Sequence, residues 1–234
     1  MITAFLPCRL GSQRVLQKNT RPFAGREGGL IGLKLEQLAG CDEIDRILLS
    51  TNDPEIIEIG TRFAPNCSKL VIDLRPDFLC TSETSTDELV DYVPERVETG
   101  TVLWTHVTSP MVEAFNYSQM IKAFREGVEH GTYDSLMAVN ALRTFIWSET
   151  GAMNYDRAIE KWPRTQTLKK LFAVNSAAFM INVDLMRRLH DRVGRTPLMF
   201  EMDEISGFEI DWEEQFTFAE SIYAASHGLG ASSE

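Results

Sequence analysis

The sequence predicts an α/β protein with a three-layer, mostly parallel sheet covered by helices on both faces. Apolar runs of strand length alternate with segments of helical spacing along most of the chain. The connections between them are short, and the first apolar run is nearly uninterrupted, as expected for a strand buried on both faces. With 234 residues and 44% hydrophobic content, a single domain with a substantial core fits the whole chain, residues 1–234.

Strands and helices follow one another in order. The strands are predicted at residues 2–7, 46–50, 69–74, 101–107, 135–141 and 172–181. The helices are predicted at residues 30–38, 55–63, 86–98, 116–127, 183–192 and 213–225. The strands are short apolar runs that end at turn residues, and the helices place apolar residues at helical spacing. Ser85 and Glu88 fit a capping box at the start of the third helix.

The alternation of strands and helices breaks around residues 143–170, where Trp, Tyr, Arg and Glu are frequent and no period is clear. We expect a small inserted arm here, used for dimer contact or for closing the site. Elsewhere the predicted parallel sheet places its ligands outside the carboxyl ends of its strands. The loops expected to share that rim begin at Pro7, Thr51, Arg75, His106 and Asn140.

The loop after the first strand carries the clearest binding signal. Gly11 and Ser12 form a small-residue bend, and Arg9, Arg14 and Lys18 are cations. The first forty residues hold six Lys or Arg and two Glu, whereas the whole chain has a net charge of −11. Small side chains let backbone N–H groups approach phosphate oxygens, and cations neutralise the phosphate charge. The loop indicates a polyphosphate site, with a solvated basic loop as the alternative.

Composition argues against several classes of partner. A net charge of −11 disfavours a general nucleic-acid binder, which carries a basic face. We expect no membrane helix, because no apolar run approaches ~20 residues, and no signal peptide, because no basic region precedes the first apolar run. The four cysteines show no CxxC or zinc-like spacing, so free buried thiols are expected. The sequence therefore predicts a cytoplasmic protein.

Two carboxylates near the C-terminus are candidate metal ligands. Glu209 and Asp211 flank Ile210, so on a strand end their side chains would share one face. Two carboxylates together with substrate phosphates suit Mg²⁺. The alternative is a helix N-terminus, because Asp211 with Glu213 and Glu214 would favour the positive end of the following helix.

Other motifs and polar residues give weaker information about the function of the protein. The chain has no GxxxxGK[ST] and no GxGxxG, which removes the main support for an ATPase or a dehydrogenase. His106 and Arg75 follow predicted strands, where parallel sheets bind ligands. A polar set at the start of a later strand either binds a polar ligand such as a sugar acid or is simply exposed. It comprises Arg164, Gln166, Lys169 and Asn175.

Taken in order, these pieces resemble the acylneuraminate cytidylyltransferases (CMP-sialic acid synthetases). The opening loop of that family has the form A-R-x-x-S-K-x-x-x-x-K-N, which the chain matches at Arg9, Ser12, Lys18 and Asn19. The family's S-T-D, R-P, Q-P-T-S-P, R-x-Q and N-G correspond to Ser50-Thr51-Asn52, Arg75-Pro76, Thr108-Ser109-Pro110, Arg164-Thr165-Gln166 and Asn175-Ser176. The closing D-I-D-x-x-E-D corresponds to Glu209-Ile210-Asp211. The ordered set spans nearly the whole chain.

The resemblance implies a Rossmann-like nucleotidyltransferase fold, a Mg²⁺-dependent reaction and a homodimer formed through the arm. The reaction would join CTP to a nonulosonic, nine-carbon 2-keto sugar acid and give the CMP-sugar and pyrophosphate. By position, the nucleotide-binding residues would be Arg9, Leu10, Gly11, Ser12, Lys18, Asn19 and Arg75. The sugar-binding residues would be His106, Arg164, Gln166 and Asn175. Glu209 and Asp211 would bind the metal, and the catalytic residues would be Arg9, Lys18 and Asp211.

The chain departs from the family pattern at five positions. Gln13, Ser82, His106, Val112 and Glu209 stand where the family has Lys, Asp, Gln, Arg and Asp. Since substrate-facing positions have changed, legionaminic, pseudaminic and N-acetylneuraminic acids all fit the pattern. Two alternatives stay open: a related nucleotidyltransferase for a Kdo-type acid or a sugar phosphate, and a nucleotide-binding relative without catalysis. Retention of Lys18 and Asp211 favours catalysis.

Overall fold

Seven strands form one sheet in the computed structural model of the protein, which describes residues 1–11 and 14–229. The strands are β1 (Ile2–Pro7), β2 (Arg46–Thr51), β3 (Leu70–Leu74), β4 (Thr101–Trp104), β5 (Ser135–Leu142), β6 (Trp147–Ser148), β7 (Gly151–Ala152), β8 (Leu171–Asn182) and β9 (Pro197–Met202). The large sheet has the order β3-β2-β1-β4-β8-β5-β9, and β6 pairs with β7 separately. Strand β8 runs antiparallel to both neighbours, and the other pairs of the large sheet are parallel. The predicted mostly parallel α/β sheet is confirmed.

Helices cover both faces of this sheet. They are α1 (Gly29–Ala39), α2 (Pro54–Phe63), α3 (Thr86–Arg96), α4 (Ala114–Glu129), α5 (Val183–Leu189) and α6 (Glu213–Ser226). Buried residues of α1, α2, α4 and α6 share one hydrophobic cluster, and those of α3 and α5 share another. Strand β1 serves both, because Ala4 and Leu6 point into the first cluster and Phe5 into the second. This two-sided burial explains the unbroken apolar run in the sequence.

The helix starts follow their local signals. Ser85 accepts a hydrogen bond from Glu88 N at 3.1 Å, and the Glu88 carboxylate accepts one from Ser85 N at 2.7 Å. This is the predicted capping box of α3. Asp53 caps α2 by accepting one hydrogen bond from Glu55 N at 3.0 Å, and Pro54 begins that helix. These caps place the first turns of α2 and α3 at the rim that follows β2 and β3.

Two predicted boundaries need correction, and one strand was missed. Strand β4 ends at Trp104, not residue 107, because the Thr105 side chain turns to donate to the Ala177 carbonyl at 2.7 Å. Helix α5 ends at Leu189, not residue 192, because His190 adopts a left-handed conformation (φ 53°) that stops it. Strand β9 was not predicted at all. It is an edge strand that begins with a proline, and its sequence has neither β-branched residues nor an alternation of polar and apolar residues, so no local pattern marks it as a strand.

The arm predicted around residues 143–170 carries little regular structure. It contains the β6–β7 hairpin and one short 3-10 helix, Thr165–Thr167. Its aromatic rings pack on each other: Phe145 lies against Tyr155 and Trp162, and the Arg157 guanidinium lies over Trp147 and Trp162.

None of the helices in the described part of the chain is long and apolar enough to cross a membrane.

Candidate active site

A cavity of about 420 Å³, referred to below as the main cavity, opens at the carboxyl ends of β1, β3 and β4. Its walls come from the loops after these strands and from the first turn of α3. Four cations line it: Arg9, Arg14, Lys18 and Arg75. No Asp or Glu belongs to this lining among residues 1–11 and 14–229, although the whole chain has a net charge of −11. The cavity therefore concentrates positive charge, which suits a polyanionic ligand.

Lys18 links the first loop to the C-terminal carboxylates. Its Nζ donates to the Ile210 carbonyl oxygen at 3.0 Å. Burial lowers the pKa of Lys18, and the charge of Asp211 opposes that shift. A half-buried ammonium group held in place in this way is preorganised to stabilise negative charge in the cavity.

Arg75 is almost fully buried beneath the cavity wall, at 4% exposed. Its Nη2 donates to the Cys8 carbonyl at 2.7 Å, and its Nε donates to the Cys80 sulfur at 3.0 Å. Its Nη1 has no hydrogen-bond partner within the described parts of the chain. Because an unpaired buried N–H is unfavourable by about 1–3 kcal/mol, this atom is a natural donor to a bound ligand.

The segment with Glu209 and Asp211 lies beside the cavity, outside any strand. Ile210 is fully buried between them, and its N–H donates to the Thr108 carbonyl at 2.8 Å. Glu209 accepts a hydrogen bond from the Thr108 hydroxyl at 3.2 Å, and Asp211 forms an ion pair with Arg14 at 2.9 Å. The strand end expected for these two carboxylates is therefore absent, and they flank a buried loop residue while both act electrostatically on Lys18.

Glu209 and Asp211 are the side chains near the cavity that could bind a metal ion. No group of three or more His, Cys, Asp or Glu side chains could hold a metal ion in the parts of the chain that the structure describes. Glu209 and Asp211 supply two hard oxygen ligands, and both are half-buried near the cationic cavity. Mg²⁺ commonly uses one or two carboxylates and takes its other ligands from phosphates and water. The donor set fits Mg²⁺ bound together with a phosphate ligand.

His106 lines the same cavity, just beyond the end of β4. Its Nε2 accepts a hydrogen bond from the Trp104 indole N–H at 2.9 Å. Burial, and then the nearby charges of Arg192, Lys18 and Lys34, lowers the pKa of His106 to about 3. The imidazole is therefore neutral near pH 7.

Several lining residues were not among the predicted site residues. The hydroxyl groups of Thr81, Thr84, Ser85 and Thr86 line the wall at the start of α3. They add hydrogen-bonding groups beside the positive end of that helix. The capping box predicted the helix start, but only the β3–α3 connection places it at this cavity. Arg14 and Thr108 enter the site through their contacts with Asp211 and Glu209.

The first loop also faces a second, smaller cavity of about 210 Å³. Leu10 and Gly11 line only this smaller cavity, whereas Arg9, Lys18 and Asn19 line both. Gly11 has a positive φ of 81°, a conformation that favours glycine. Ser12, predicted to bind phosphate, lies outside the described residues.

The predicted sugar-binding residues lie in different places. His106 lines the main cavity, but Arg164 and Gln166 lie exposed on the arm and do not line it. Asn175 is buried in β8, where its Nδ2 donates to Asn140 Oδ1 at 2.5 Å and its Oδ1 accepts from Ala177 N at 3.1 Å. These contacts hold an irregular stretch of β8. Within one chain the structure therefore brings only His106 of this set to the main cavity.

Comparison with known proteins identifies the family of the chain. The sequence profile of the family described as Cytidylyltransferase matches residues 3–226, nearly the whole chain. No curated protein sequence matches the chain significantly.

Solved structures show the same fold at low sequence identity. One is titled as CMP:2-keto-3-deoxy-manno-octonic acid synthetase complexed with CTP. It has a TM-score of 0.67 and 14% identity, with 96% of this chain and 99% of that chain covered. Another is titled 4-diphosphocytidyl-2C-methyl-D-erythritol synthase from Anaerococcus prevotii, with a TM-score of 0.64, 13% identity and 95% of each chain covered.

Proposed function

The chain belongs to the cytidylyltransferase family, and from this premise we propose that it transfers the cytidylyl group of CTP to a nonulosonic 2-keto sugar acid and releases pyrophosphate. The observation that carries the proposal is the main cavity, which is lined by four cations and, among the described residues, by no carboxylate. A triphosphate is the substrate whose charge such a cavity complements. The whole-chain order of the sequence motifs supports the sugar-acid acceptor.

The nucleotide lies along the first loop in this proposal. Arg9 and Lys18 bind the triphosphate together with backbone groups of residues 10–12, and Asn19 and Arg75 face the cytidine. The free Nη1 of Arg75 supports the last assignment, because cytosine offers oxygen and nitrogen acceptors to a buried donor.

The transfer itself needs no covalent enzyme intermediate. The anomeric hydroxyl oxygen of the sugar acid attacks the α-phosphorus of CTP and gives its proton to a nearby carboxylate or to water. A new P–O bond forms, and the bond between the α-phosphorus and the oxygen that bridges to the β-phosphate breaks to release pyrophosphate. Arg9 and Lys18 neutralise charge on the phosphorus oxygens and the leaving group, and Asp211 orders this end of the site. Fixed charges of this kind lower the barrier mainly by preorganisation.

Glu209 and Asp211 would hold Mg²⁺ beside the phosphates. The ion would supply charge neutralisation at the phosphoryl oxygens. Asp211 is paired with Arg14 in the structure, so a bound ion would take the place of that exposed ion pair. Exposed ion pairs contribute only about 0–1 kcal/mol, so the exchange is inexpensive.

In this proposal the acceptor lies near His106, the residue that stands where the family has a glutamine. Arg164 and Gln166, on the arm, reach a site through a homodimer, whereas Asn175 is buried in β8 with both its amide atoms hydrogen-bonded and is not assigned to the sugar. Exposed apolar side chains on the arm support dimer contact: Ile159 is 86% exposed and Trp162 is 63% exposed.

A Kdo-type acid is the second candidate acceptor. The observation that favours it is the fold match to the CMP:2-keto-3-deoxy-manno-octonic acid synthetase over 96% of this chain. The first loop of this chain ends in Lys18-Asn19, which favours the nonulosonic acceptor, because the corresponding loop of the Kdo enzymes ends in L-P-x-K-P.

Pyrophosphate release tests both acceptors at once. The four nucleoside triphosphates would be assayed with Mg²⁺ against N-acetylneuraminic, legionaminic and pseudaminic acids and Kdo. Release with CTP and a nine-carbon acid is the expected result. Release only with Kdo would replace the acceptor, and no release with any pair would overturn the proposed reaction.

Asp211→Asn tests the metal assignment. Loss of one carboxylate charge removes a metal ligand, so we expect kcat/KM to fall by about 100-fold or more while the melting temperature stays close to that of the wild type. Glu213→Gln is the matched control, because Glu213 pairs with Arg21 at 2.8 Å in the next turn. Similar activity in the two variants would contradict the assignment.

A further inference from the structure

His106 has one ring nitrogen committed to a protein partner. The indole Nε1–H of Trp104 lies 2.9 Å from His106 Nε2. An indole N–H can only donate a hydrogen bond and has no acceptor atom. Nε2 must therefore be the unprotonated, accepting nitrogen, and in the neutral ring the proton is on Nδ1. The tautomer follows from the chemistry of the partner.

Trp104 is itself fixed from several sides. It is only 1% exposed, and its ring meets Phe5 edge-on at a centroid distance of 4.8 Å. The Arg192 guanidinium lies 5.1 Å from the Trp104 ring and 3.9 Å from the Phe179 ring. Contacts of a cation with ring faces favour this arrangement. The indole donor is thus held in one orientation.

The charges around His106 favour the neutral ring. The cations that act on it come from three separate elements: Arg192 after α5, Lys18 after β1 and Lys34 in α1. Together with burial they lower the pKa of His106 to about 3, and no carboxylate is among the groups that shift it. His106 is consequently not a proton donor or acceptor for catalysis near pH 7.

The Nδ1–H has no hydrogen-bond partner among the described residues, although the ring lines the main cavity. His106 is half-buried, so a ligand that fills the cavity displaces water from this donor and has to supply an acceptor in its place. We propose that Trp104 is a positioning residue that fixes His106 as a neutral Nδ1–H donor to an oxygen atom of the acceptor sugar acid. The acceptor part of this inference rests on the proposed function.

Nitrogen NMR of the histidine ring tests the tautomer without turnover. In protein labelled with ¹⁵N at histidine, the wild type is expected to carry the His106 proton on Nδ1 from pH 5 to pH 8. A proton on Nε2, or a titration of His106 in this range, would overturn the inference. His106→Leu identifies the resonance.

Two variants separate the indole N–H from the neighbouring charge. Trp104→Phe keeps an aromatic ring but removes the donor, so His106 is expected to populate both tautomers. Arg192→Met is expected to keep the tautomer but raise the pKa of His106, and it remains informative where Trp104→Phe fails to fold. Trp147→Phe is the matched control, since it removes an indole donor that binds Tyr155 at 3.0 Å in the arm. An unchanged tautomer in Trp104→Phe would contradict the role of Trp104.

Ligand addition and kinetics test the substrate contact. Saturating N-acetylneuraminic acid or Kdo, with CMP present, is expected to shift the His106 Nδ1–H resonance, and no shift with either acid overturns the contact. His106→Leu is expected to raise KM for the acceptor by about 10-fold with KM for CTP unchanged. In His106→Asn the amide nitrogen reaches the Nδ1 position, so KM for the acceptor is expected to stay close to that of the wild type. A rise in KM for CTP instead would assign the donor to the nucleotide.

Failure of the inference and failure of the proposed function are distinguishable. Absence of pyrophosphate release by the wild type contradicts the function but leaves the NMR tautomer as measured. Release by the wild type with the proton on Nε2 contradicts only the inference.

Discussion

Single buried cations hold the loops around the cavity in place. Lys34 of α1 is fully buried, and its Nζ donates to the Ser109 carbonyl at 2.8 Å and to the Tyr117 hydroxyl at 3.0 Å. Tyr117 in turn contacts the Thr105 hydroxyl at 2.8 Å. The loop that carries His106 and Thr108 is therefore tied to two helices through one ammonium group.

The pH dependence of stability should report on Lys34. Burial lowers the pKa of Lys34 to about 7 from the usual 10.5, with the charge of Glu113 opposing the shift. Between these two pKa values the unfolded state binds more protons, so this group makes the free energy of unfolding rise with pH, by at most about 1.4 kcal/mol per pH unit. We expect the stability difference between wild type and Lys34→Met to grow in favour of the wild type from pH 7 to pH 10.

Chemical denaturation at a series of pH values measures this difference. Lys122→Met is the control, because Lys122 is an exposed lysine of α4, and its stability curve should run parallel to that of the wild type. A parallel curve for Lys34→Met as well would show that Lys34 does not titrate in this window.

Lys18 belongs to the same scale. If its ammonium group stabilises the transferring phosphates, Lys18→Ala should lower kcat/KM by about 100-fold or more. Its one hydrogen bond, to the Ile210 carbonyl, predicts only a small change in melting temperature. Steady-state pyrophosphate release and thermal denaturation separate the two effects, with Lys122→Ala as the exposed control. A loss confined to melting temperature would make Lys18 structural.

At the scale of elements, strand β8 contains an irregularity that the sequence does not reveal. Its pairing with β5 shifts between Met137↔Phe179 and Val139↔Val174, so residues 175–178 lie opposite one residue of β5. Asn175 bonds to Asn140 within this bulge, and Asn140 Nδ2 donates to the Gly207 carbonyl at 3.1 Å. One side chain thus joins β5, β8 and the segment after β9.

Gly207→Ala should break that junction. A Cβ at this position would overlap the Asn140 side-chain amide, so we expect a loss of about 1–3 kcal/mol in the free energy of unfolding. Gly32→Ala is the control, because a Cβ there meets nothing within 4 Å and an alanine favours the helix. Denaturant unfolding measures both. Adding Asn140→Ala should recover part of the loss, and equal stability of the two glycine variants would contradict the overlap.

At the scale of the molecule, the arm is a surface with several exposed apolar side chains. Its exposed apolar side chains include Ile159, Trp162, Met153 and Trp147, at 86%, 63%, 58% and 48% exposed. Burial of such a patch between two copies would exclude it from water. We expect the wild type to sediment as a dimer and the double variant Ile159→Asp, Trp162→Asp to sediment as a folded monomer.

Analytical ultracentrifugation with circular dichroism checks the assembly. Phe115→Ser is the control, because Phe115 is 69% exposed on α4, outside residues 143–170 of the arm. A wild-type monomer at micromolar concentration, or a dimer that survives both aspartates, would contradict assembly through the arm.

The sequence by itself determined the alternation of strands and helices, the buried first strand, the capping box of α3 and the cationic first loop, because each is a local pattern of burial or charge. Only the tertiary structure decided the antiparallel placement of β8, the edge strand β9 and the contact of Trp104 with His106. It likewise decided the contact of Lys18 with Ile210 and the distance of Arg164 from the main cavity. The physical reason is range: strand order and cavity walls depend on contacts between residues far apart in sequence, and no local spacing records them.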